Sequence, residues 1–71
     1  MKNNMFDFQE ALSYIKSGLV AGLTINGKER RYYLNQFGDI MCTPNGKEHL
    51  TYKVNNFHID AVMSNEWKLY S

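Results

Sequence analysis

Two arginines followed by two tyrosines are the side chains best suited to bind an anionic, aromatic ligand. They are Arg30, Arg31, Tyr32 and Tyr33. A guanidinium group can hold a phosphate through two parallel hydrogen bonds, and a phenol ring can stack on a base. If this segment is a strand, the two arginines point to opposite faces, so at most one shares the side that a helix covers. The alternative is a solvated strand end whose charges keep the chain soluble.

Trp67 is the fifth candidate binding residue, because an indole ring can also stack on a ligand. It is the only tryptophan of the chain. The alternative, which the size of the ring favours, is that Trp67 is the largest core residue beneath a helix. The predicted binding residues are therefore Arg30, Arg31, Tyr32, Tyr33 and Trp67.

The other reactive side chains give weaker support for a catalytic or metal site. A carboxylate two positions after His58, that of Asp60, could orient the imidazole for metal binding or base catalysis, but no second ligand follows at a recognisable spacing. Cys42 could act as a nucleophile with His49 or His58, yet a lone cysteine on an apolar strand is usually a small core residue. Phosphate loops and zinc motifs are missing from the sequence. We expect a non-enzymatic protein without metal or cofactor.

Size and composition bound the remaining possibilities. The 71 residues suit a single domain, 1–71, whose core is small, so we expect extra stability from a homo-oligomer, a dimer or a tetramer. Eight Lys and Arg against seven Asp and Glu argue against a nucleic-acid partner, and no apolar run is long enough to cross a membrane. One cysteine and no secretory leader indicate the cytoplasm. The ten Phe, Tyr and Trp residues cannot all be buried, so some should line a binding surface or subunit interface.

The first element predicted to position these residues is a helix over residues 7–18. Asp7 is a typical N-cap, and Glu10 can reach back to the Asp7 amide to complete a capping box. Gly18 has the position of a left-handed C-cap residue. The helix has one apolar face, formed by Phe8, Ala11, Leu12 and Ile15. Residues 1–5 are expected to be frayed.

A hairpin follows the helix. Apolar residues at alternate positions, from Leu19 to Ile25, predict a strand with one buried face. Asn26-Gly27 is the strongest short hairpin signal, because both residues tolerate the positive φ of a type I′ turn. The return strand, residues 28–34, carries the two arginines and two tyrosines.

Two more strands are predicted after this hairpin. Residues 39–43 follow a turn at 35–38 and form a short strand. A Pro44-Asn45-Gly46 turn then leads into a strand over residues 48–54, in which we expect Leu50, Tyr52 and Val54 to point inward.

The C-terminal part alternates between helical and extended patterns. From Phe57, the residues Ile59, Val62 and Met63 recur at helical spacing and predict one or two turns. Residues 66–70 form the last predicted strand, with Trp67 and Leu69 on one face. The expected fold is therefore α+β: one N-terminal helix packed on an antiparallel sheet of four or five strands, with a short helical turn before the last strand.

The two ends of the chain resemble a known group of small phage proteins. Phe8-Gln9-Glu10-Ala11-Leu12 and Ile15-Lys16-Ser17-Gly18 resemble their opening, and Val62-Met63-Ser64-Asn65-Glu66-Trp67 resembles their ending. The group is the Thoeris anti-defence family, whose members sequester a cyclic ADP-ribose isomer that serves as a bacterial immune signal. The resemblance implies a helix on a twisted antiparallel sheet and a homo-oligomer with ligand sites between subunits.

This chain departs from the family pattern just after the helix. There the family has a basic stretch with an arginine and then a tryptophan, whereas this chain has Leu19-Val20-Ala21-Gly22-Leu23-Thr24-Ile25-Asn26. The resemblance still implies a non-enzymatic phage protein, acting in the host cytoplasm, that inhibits a bacterial immune system by sequestration. Its target would be a cyclic nucleotide signal or a host defence protein, the latter as in an anti-CRISPR inhibitor. A small structural module of a phage, without a ligand, is the further alternative.

Overall fold

The computed structural model describes residues 5–70 and contains one main helix, two short helical turns and five strands. The expectation of frayed residues at 1–5 falls outside this range, apart from Met5. In chain order the elements are α1 (Phe8–Lys16), β1 (Val20–Ile25), β2 (Lys28–Leu34), β3 (Ile40–Pro44), a 3₁₀ turn (Glu48–Leu50), β4 (Tyr52–Lys53), α2 (Ile59–Val62) and β5 (Lys68–Tyr70).

The five strands form one antiparallel sheet in the order β4-β3-β2-β1-β5. Helix α1 packs on the central strand β2 and on its neighbour β1. The core lies between the helices and this face of the sheet, and its buried residues are Ala11, Ile15, Ala21, Leu23, Tyr32, Cys42, Ala61 and Trp67. The predicted α+β class, with one helix on a sheet of four or five strands, is confirmed.

Helix α1 begins and ends where its caps predict. The Asp7 carboxylate accepts a hydrogen bond from the Glu10 amide at 2.9 Å, and Gly18 has a φ of 96°. On the buried face, Ala11 and Ile15 are fully enclosed. The Glu10 side chain, expected to reach back to the Asp7 amide, instead accepts a hydrogen bond from the Tyr14 hydroxyl at 3.0 Å. An apolar stripe and local caps are therefore enough to fix this helix.

The hairpin of β1 and β2 also follows its local signal. Asn26 and Gly27 have φ values of 52° and 76°, and Ile25 pairs with Lys28 across the turn. These angles match a type I′ turn, whose twist suits two antiparallel strands. The register of the whole hairpin follows from this two-residue turn, including the placement of Arg30 opposite Leu23 and of Arg31 opposite Gly22.

The predicted strand over residues 48–54 is wrong for most of its length. Residues Glu48–Leu50 form a 3₁₀ turn, and only Tyr52–Lys53 pair with β3. The Leu50 amide donates to the Lys47 carbonyl, so the turn after β3 continues into a second turn before pairing begins. Leu50 and Tyr52 are consequently about half exposed, at 49% and 46%, and only Val54 packs against the core as expected.

Helix α2 occurs where helical spacing predicts it, and its buried residue is not one of the apolar residues that show this spacing. Ala61 is its buried residue, whereas Ile59 and Met63 are 63% and 74% exposed. The reason is Trp67, whose ring nitrogen Nε1 donates to the Ala61 carbonyl at 2.8 Å. The indole occupies the space beside Ala61, so the larger apolar residues of α2 turn away from the core.

Trp67 holds the two ends of the chain together. It is fully buried, and its ring lies 5.8 Å from Phe8 and 5.2 Å from Tyr32 between centroids. Its backbone exchanges two hydrogen bonds with Phe6, at 2.9 and 3.1 Å. Leu69 lies on the same face of the sheet, as predicted, and is 45% exposed because it belongs to the edge strand β5.

Replacing Trp67 by Phe should lower the free energy of unfolding by about 2 kcal/mol or more, since the Ala61 carbonyl loses its donor and the core loses volume. Urea unfolding measures this free energy. Circular dichroism should be the signal, because the substitution removes the only tryptophan and with it the tryptophan fluorescence. Phe37→Leu is the control at an exposed aromatic residue, and we expect a change below about 0.5 kcal/mol there. Equal effects of the two substitutions would contradict the central role of Trp67.

Candidate functional site

The five predicted binding residues lie in three different environments. Arg30 and Tyr32 point to the face of the sheet that carries the helices, because Tyr32 belongs to the core and Arg30 lies two positions before it. Arg31 and Tyr33 point to the opposite face. Trp67 lies inside the core. The sequence correctly predicted that the two arginines lie on opposite faces of the sheet.

Two of the predicted aromatic residues are enclosed by other rings. Tyr32 is only 2% exposed, and its ring lies 5.1 Å from that of Phe57. Trp67 has no exposed surface. Both rings therefore stabilise the core within this chain, which for Trp67 is the alternative that its size favoured.

The face of the sheet opposite the helices is the first candidate site, and we call it the open face. It carries Arg31, Tyr33 and Tyr70 with their cross-strand neighbours. The guanidinium carbon of Arg31 lies 4.4 Å from the centre of the Tyr70 ring, and Arg31 Nε lies 3.1 Å from Glu29 Oε1. The Arg31 side chain remains 43% exposed. A cation is thus fixed in orientation while staying accessible.

Tyr70 reaches this position because Gly22 has no side chain. A Cβ atom at Gly22 would lie 2.8 Å from Tyr70 Cε1 and would also collide with the Arg30 carbonyl oxygen. The Tyr70 ring consequently lies over β1, between β5 and Arg31 on β2. A glycine within an apolar strand is the sequence signal that could have indicated this close approach, which our sequence reasoning missed.

The Tyr70 hydroxyl is enclosed and, among residues 5–70, has no hydrogen-bond partner. Burial raises the pKa of this hydroxyl, the nearby Glu29 carboxylate raises the pKa further, and the Arg31 guanidinium lowers it. Lys68 Nζ lies 5.4 Å from the centre of the same ring. The centre of the open face is therefore a neutral phenol ring flanked by two cations.

The edge of the open face carries an apolar pair beside an ion pair. Tyr33 pairs with Met41 across β2 and β3, and both are half-buried. Met41 pairs in turn with Lys53, which forms an ion pair with Asp39 at 3.6 Å. Arginine, tyrosine and methionine together are the composition that distinguishes protein interfaces from other surfaces.

A second candidate site lies at the far end of the hairpin, on the side of the helices. Arg30 lines a cleft of about 140 Å³ together with Lys28, His58 and Asp60. His58 Nδ1 accepts a hydrogen bond from the Asp60 amide at 3.1 Å, so this histidine caps α2. Sequence reasoning singled out Arg30 and His58 separately and did not bring them together.

The cavities differ from the open face in shape and lining. A groove of about 490 Å³ lies between α1 and β5 and includes Glu10, Tyr14 and Leu69. Another of about 570 Å³ lies between α1 and α2 and includes Leu12 and Met63. Lys68 lines the first of these grooves, whereas Arg31, Tyr33 and Tyr70 line none of the three.

Within residues 5–70, the structure gives no support to the catalytic alternative at Cys42. Cys42 is a free, fully buried core residue, as its apolar strand predicted. The described residues contain no group of three or more His, Cys, Asp or Glu side chains that could hold a metal ion. Among the same residues, no helix is long and apolar enough to cross a membrane.

Comparisons of the chain with protein-family models, with curated proteins and with solved structures find no significant match.

Substituting Gly22 by Ala should lower the free energy of unfolding by at least about 1 kcal/mol, because the new Cβ displaces the Tyr70 ring and strains the Arg30 backbone. Thr24→Ala, an exposed position on the same strand and face, is the control and should change stability by less than about 0.5 kcal/mol. Thermal unfolding of both variants measures the difference. A Gly22→Ala protein as stable as the parent would mean that Tyr70 does not lie against this glycine.

Stability should fall as the solution becomes alkaline. Burial raises the pKa of Tyr32 above its usual value of 10.0, and Cys42 and Tyr52 raise it further. The unfolded chain then loses this proton first, so the contribution of Tyr32 is complete below about pH 10 and declines above it. Urea unfolding at increasing pH should show a shallower decline for Tyr32→Phe than for the parent. Parallel curves would contradict the assignment to Tyr32.

Proposed function

We propose that this chain is a non-enzymatic phage protein that inhibits a bacterial immune system by binding a host defence protein through its open face. The observation that carries the proposal is Arg31, held against the Tyr70 ring and Glu29 yet still exposed. A cation already fixed in place loses little conformational freedom on binding, which increases affinity.

The composition of the open face favours a protein target. Small-molecule sites are usually concave, whereas protein interfaces are often flat surfaces rich in arginine, tyrosine and methionine. Arg31, Tyr33, Met41 and Tyr70 have this composition, and none of them lines the cavities described above. A carboxylate-bearing partner would complement Arg31 and Lys68.

The nucleotide-sponge version of the same function has less support. It requires an arginine and exposed rings to converge in one pocket, and Tyr32 and Trp67 are enclosed in the core. Within one chain, Arg30 and Arg31 lie on opposite faces. A sponge would therefore need a homo-oligomer whose subunit boundary brings open-face residues of two copies together.

The phage origin is supported by the resemblance at the two ends of the chain. In the structure these ends meet: Phe8 and Trp67 lie 5.8 Å apart between ring centroids, and the Phe6 and Trp67 backbones are hydrogen-bonded. The resemblance thus concerns residues that pack the scaffold. It fits the proposal that the scaffold is shared with the anti-defence proteins while the target is different.

Expression of the protein in bacteria that carry individual defence systems should raise the plaque count of a sensitive phage on at least one strain. Arg31→Glu should abolish this protection, because it places a like charge opposite an acidic partner. Lys47→Glu makes the same charge change at an exposed residue in the turn after β3 and should leave protection intact. An unchanged plaque count across the panel, or equal loss in both variants, would refute the proposal.

Native mass spectrometry of the purified protein separates the remaining alternatives. A monomer or oligomer without bound nucleotide, which captures a defence protein through Arg31, supports the protein-directed function. A cyclic nucleotide released on denaturation would identify a sponge. An oligomer that buries Tyr33 and Tyr70 and protects no strain would identify a structural module.

A further inference from the structure

We propose that Lys28, Arg30 and His58 form a binding site for the phosphate group of a small molecule. The site is the cleft of about 140 Å³ at the end of the β1–β2 hairpin. It lies on the face of the sheet opposite Arg31 and Tyr70, so the inference does not rest on the proposed function.

The hairpin and the segment before α2 build this cleft together. Lys28 and Arg30 are two positions apart on β2 and therefore point to the same face, beside Ile25 and Leu23 of β1. His58, the residue that caps α2, also lines the cleft. The cleft thus combines two neighbouring strand residues with one residue that is distant in sequence.

The two strand cations have no carboxylate partner among the described residues. Arg31 and Lys53 each form an ion pair at 4.0 Å or less, whereas Lys28 and Arg30 form none in residues 5–70. Arg30 is also half-buried, so it is less fully hydrated than a cation on an open surface. Two like charges in one small cleft repel each other, and a bound anion would offset that repulsion.

Asp60 is the one acidic residue that lines the cleft. Its Oδ2 lies 3.6 Å from His58 Nδ1, and its side chain is 56% exposed. One carboxylate against Lys28 and Arg30 leaves a net positive charge, and the exposure of Asp60 weakens its repulsion of an anion.

The donors present select the chemical class of the ligand. Arg30 offers a guanidinium fork, and Lys28 offers an ammonium group with three protons. Because His58 Nδ1 accepts the Asp60 amide proton, the neutral imidazole carries its own proton on Nε2 and can donate it. Donors of these three types lining one cleft suit a phosphate group, and the volume of about 140 Å³ is too small for a base as well.

Titration of ¹⁵N-labelled protein with inorganic phosphate, at an ionic strength held constant with sodium chloride, tests the site. The Lys28, Arg30 and His58 signals should shift and saturate in the millimolar range. Arg30→Gln and Lys28→Gln should each weaken the apparent affinity about tenfold, since each removes a charge-assisted hydrogen bond. A parallel titration with adenosine monophosphate distinguishes the source: binding at least as tight as that of phosphate indicates a phosphate ester, and weaker binding indicates the free anion.

Matched controls separate a built site from general attraction to positive charge. Arg31→Gln removes the adjacent arginine on the opposite face, and Lys47→Gln removes an exposed lysine elsewhere, so neither should alter the affinity. Shifts that never saturate, or equal weakening in the control variants, would overturn the proposal. If Arg30→Gln fails to fold, Lys28→Gln decides, because Lys28 is exposed at the start of β2.

Discussion

The enclosure of Trp67 is the constraint on which the rest of the structure depends. Its ring nitrogen donates to the Ala61 carbonyl at 2.8 Å, its backbone is bonded to Phe6, and its ring packs against Phe8 and Tyr32. One residue near the end of the chain therefore joins the first helix, the centre of the sheet and α2. With a single cysteine, the chain cannot close itself by an internal disulfide. A hydrogen-bonded aromatic cluster holds the two ends of the chain together instead. Such a cluster adds stability to a domain whose core is small.

Strand β5 connects this core to the open face. Side chains alternate along a strand, so Trp67 and Tyr70, three positions apart, point to opposite faces of the sheet. When Trp67 is enclosed on one side, Tyr70 is carried over Gly22 on the other and lies against Arg31. The surface proposed to bind a partner is thus positioned by the same residue that closes the core. The cleft of Lys28, Arg30 and His58 depends on α2 and hence on the same closure, through Ala61.

The elements predicted correctly are those whose signals are local. Asp7 and Gly18 bound the first helix through their own backbone geometry, and Asn26-Gly27 fixes the hairpin register through two positive φ angles. The strand predicted over residues 48–54 failed, and in α2 the helical spacing did not indicate which residue is buried, because only apolar spacing was available at both places. Spacing shows that residues share a face, but whether that face is covered depends on what else occupies the space. The space beside Ala61 is filled by the Trp67 ring. At Leu50, two consecutive turns prevent strand pairing.

The sequence by itself determined the α+β class, the first helix, the hairpin and the separation of Arg30 from Arg31, because each follows from contacts between near neighbours. The tertiary structure alone decided what each arginine meets: His58 beside Arg30, and the Tyr70 ring beside Arg31. It also decided that Tyr32 and Trp67 are core residues and that Tyr70 is half-buried on the open face. These partners are distant along the chain. They meet only after long-range packing has chosen which face of the sheet is covered, and no local pattern of residue types encodes that choice.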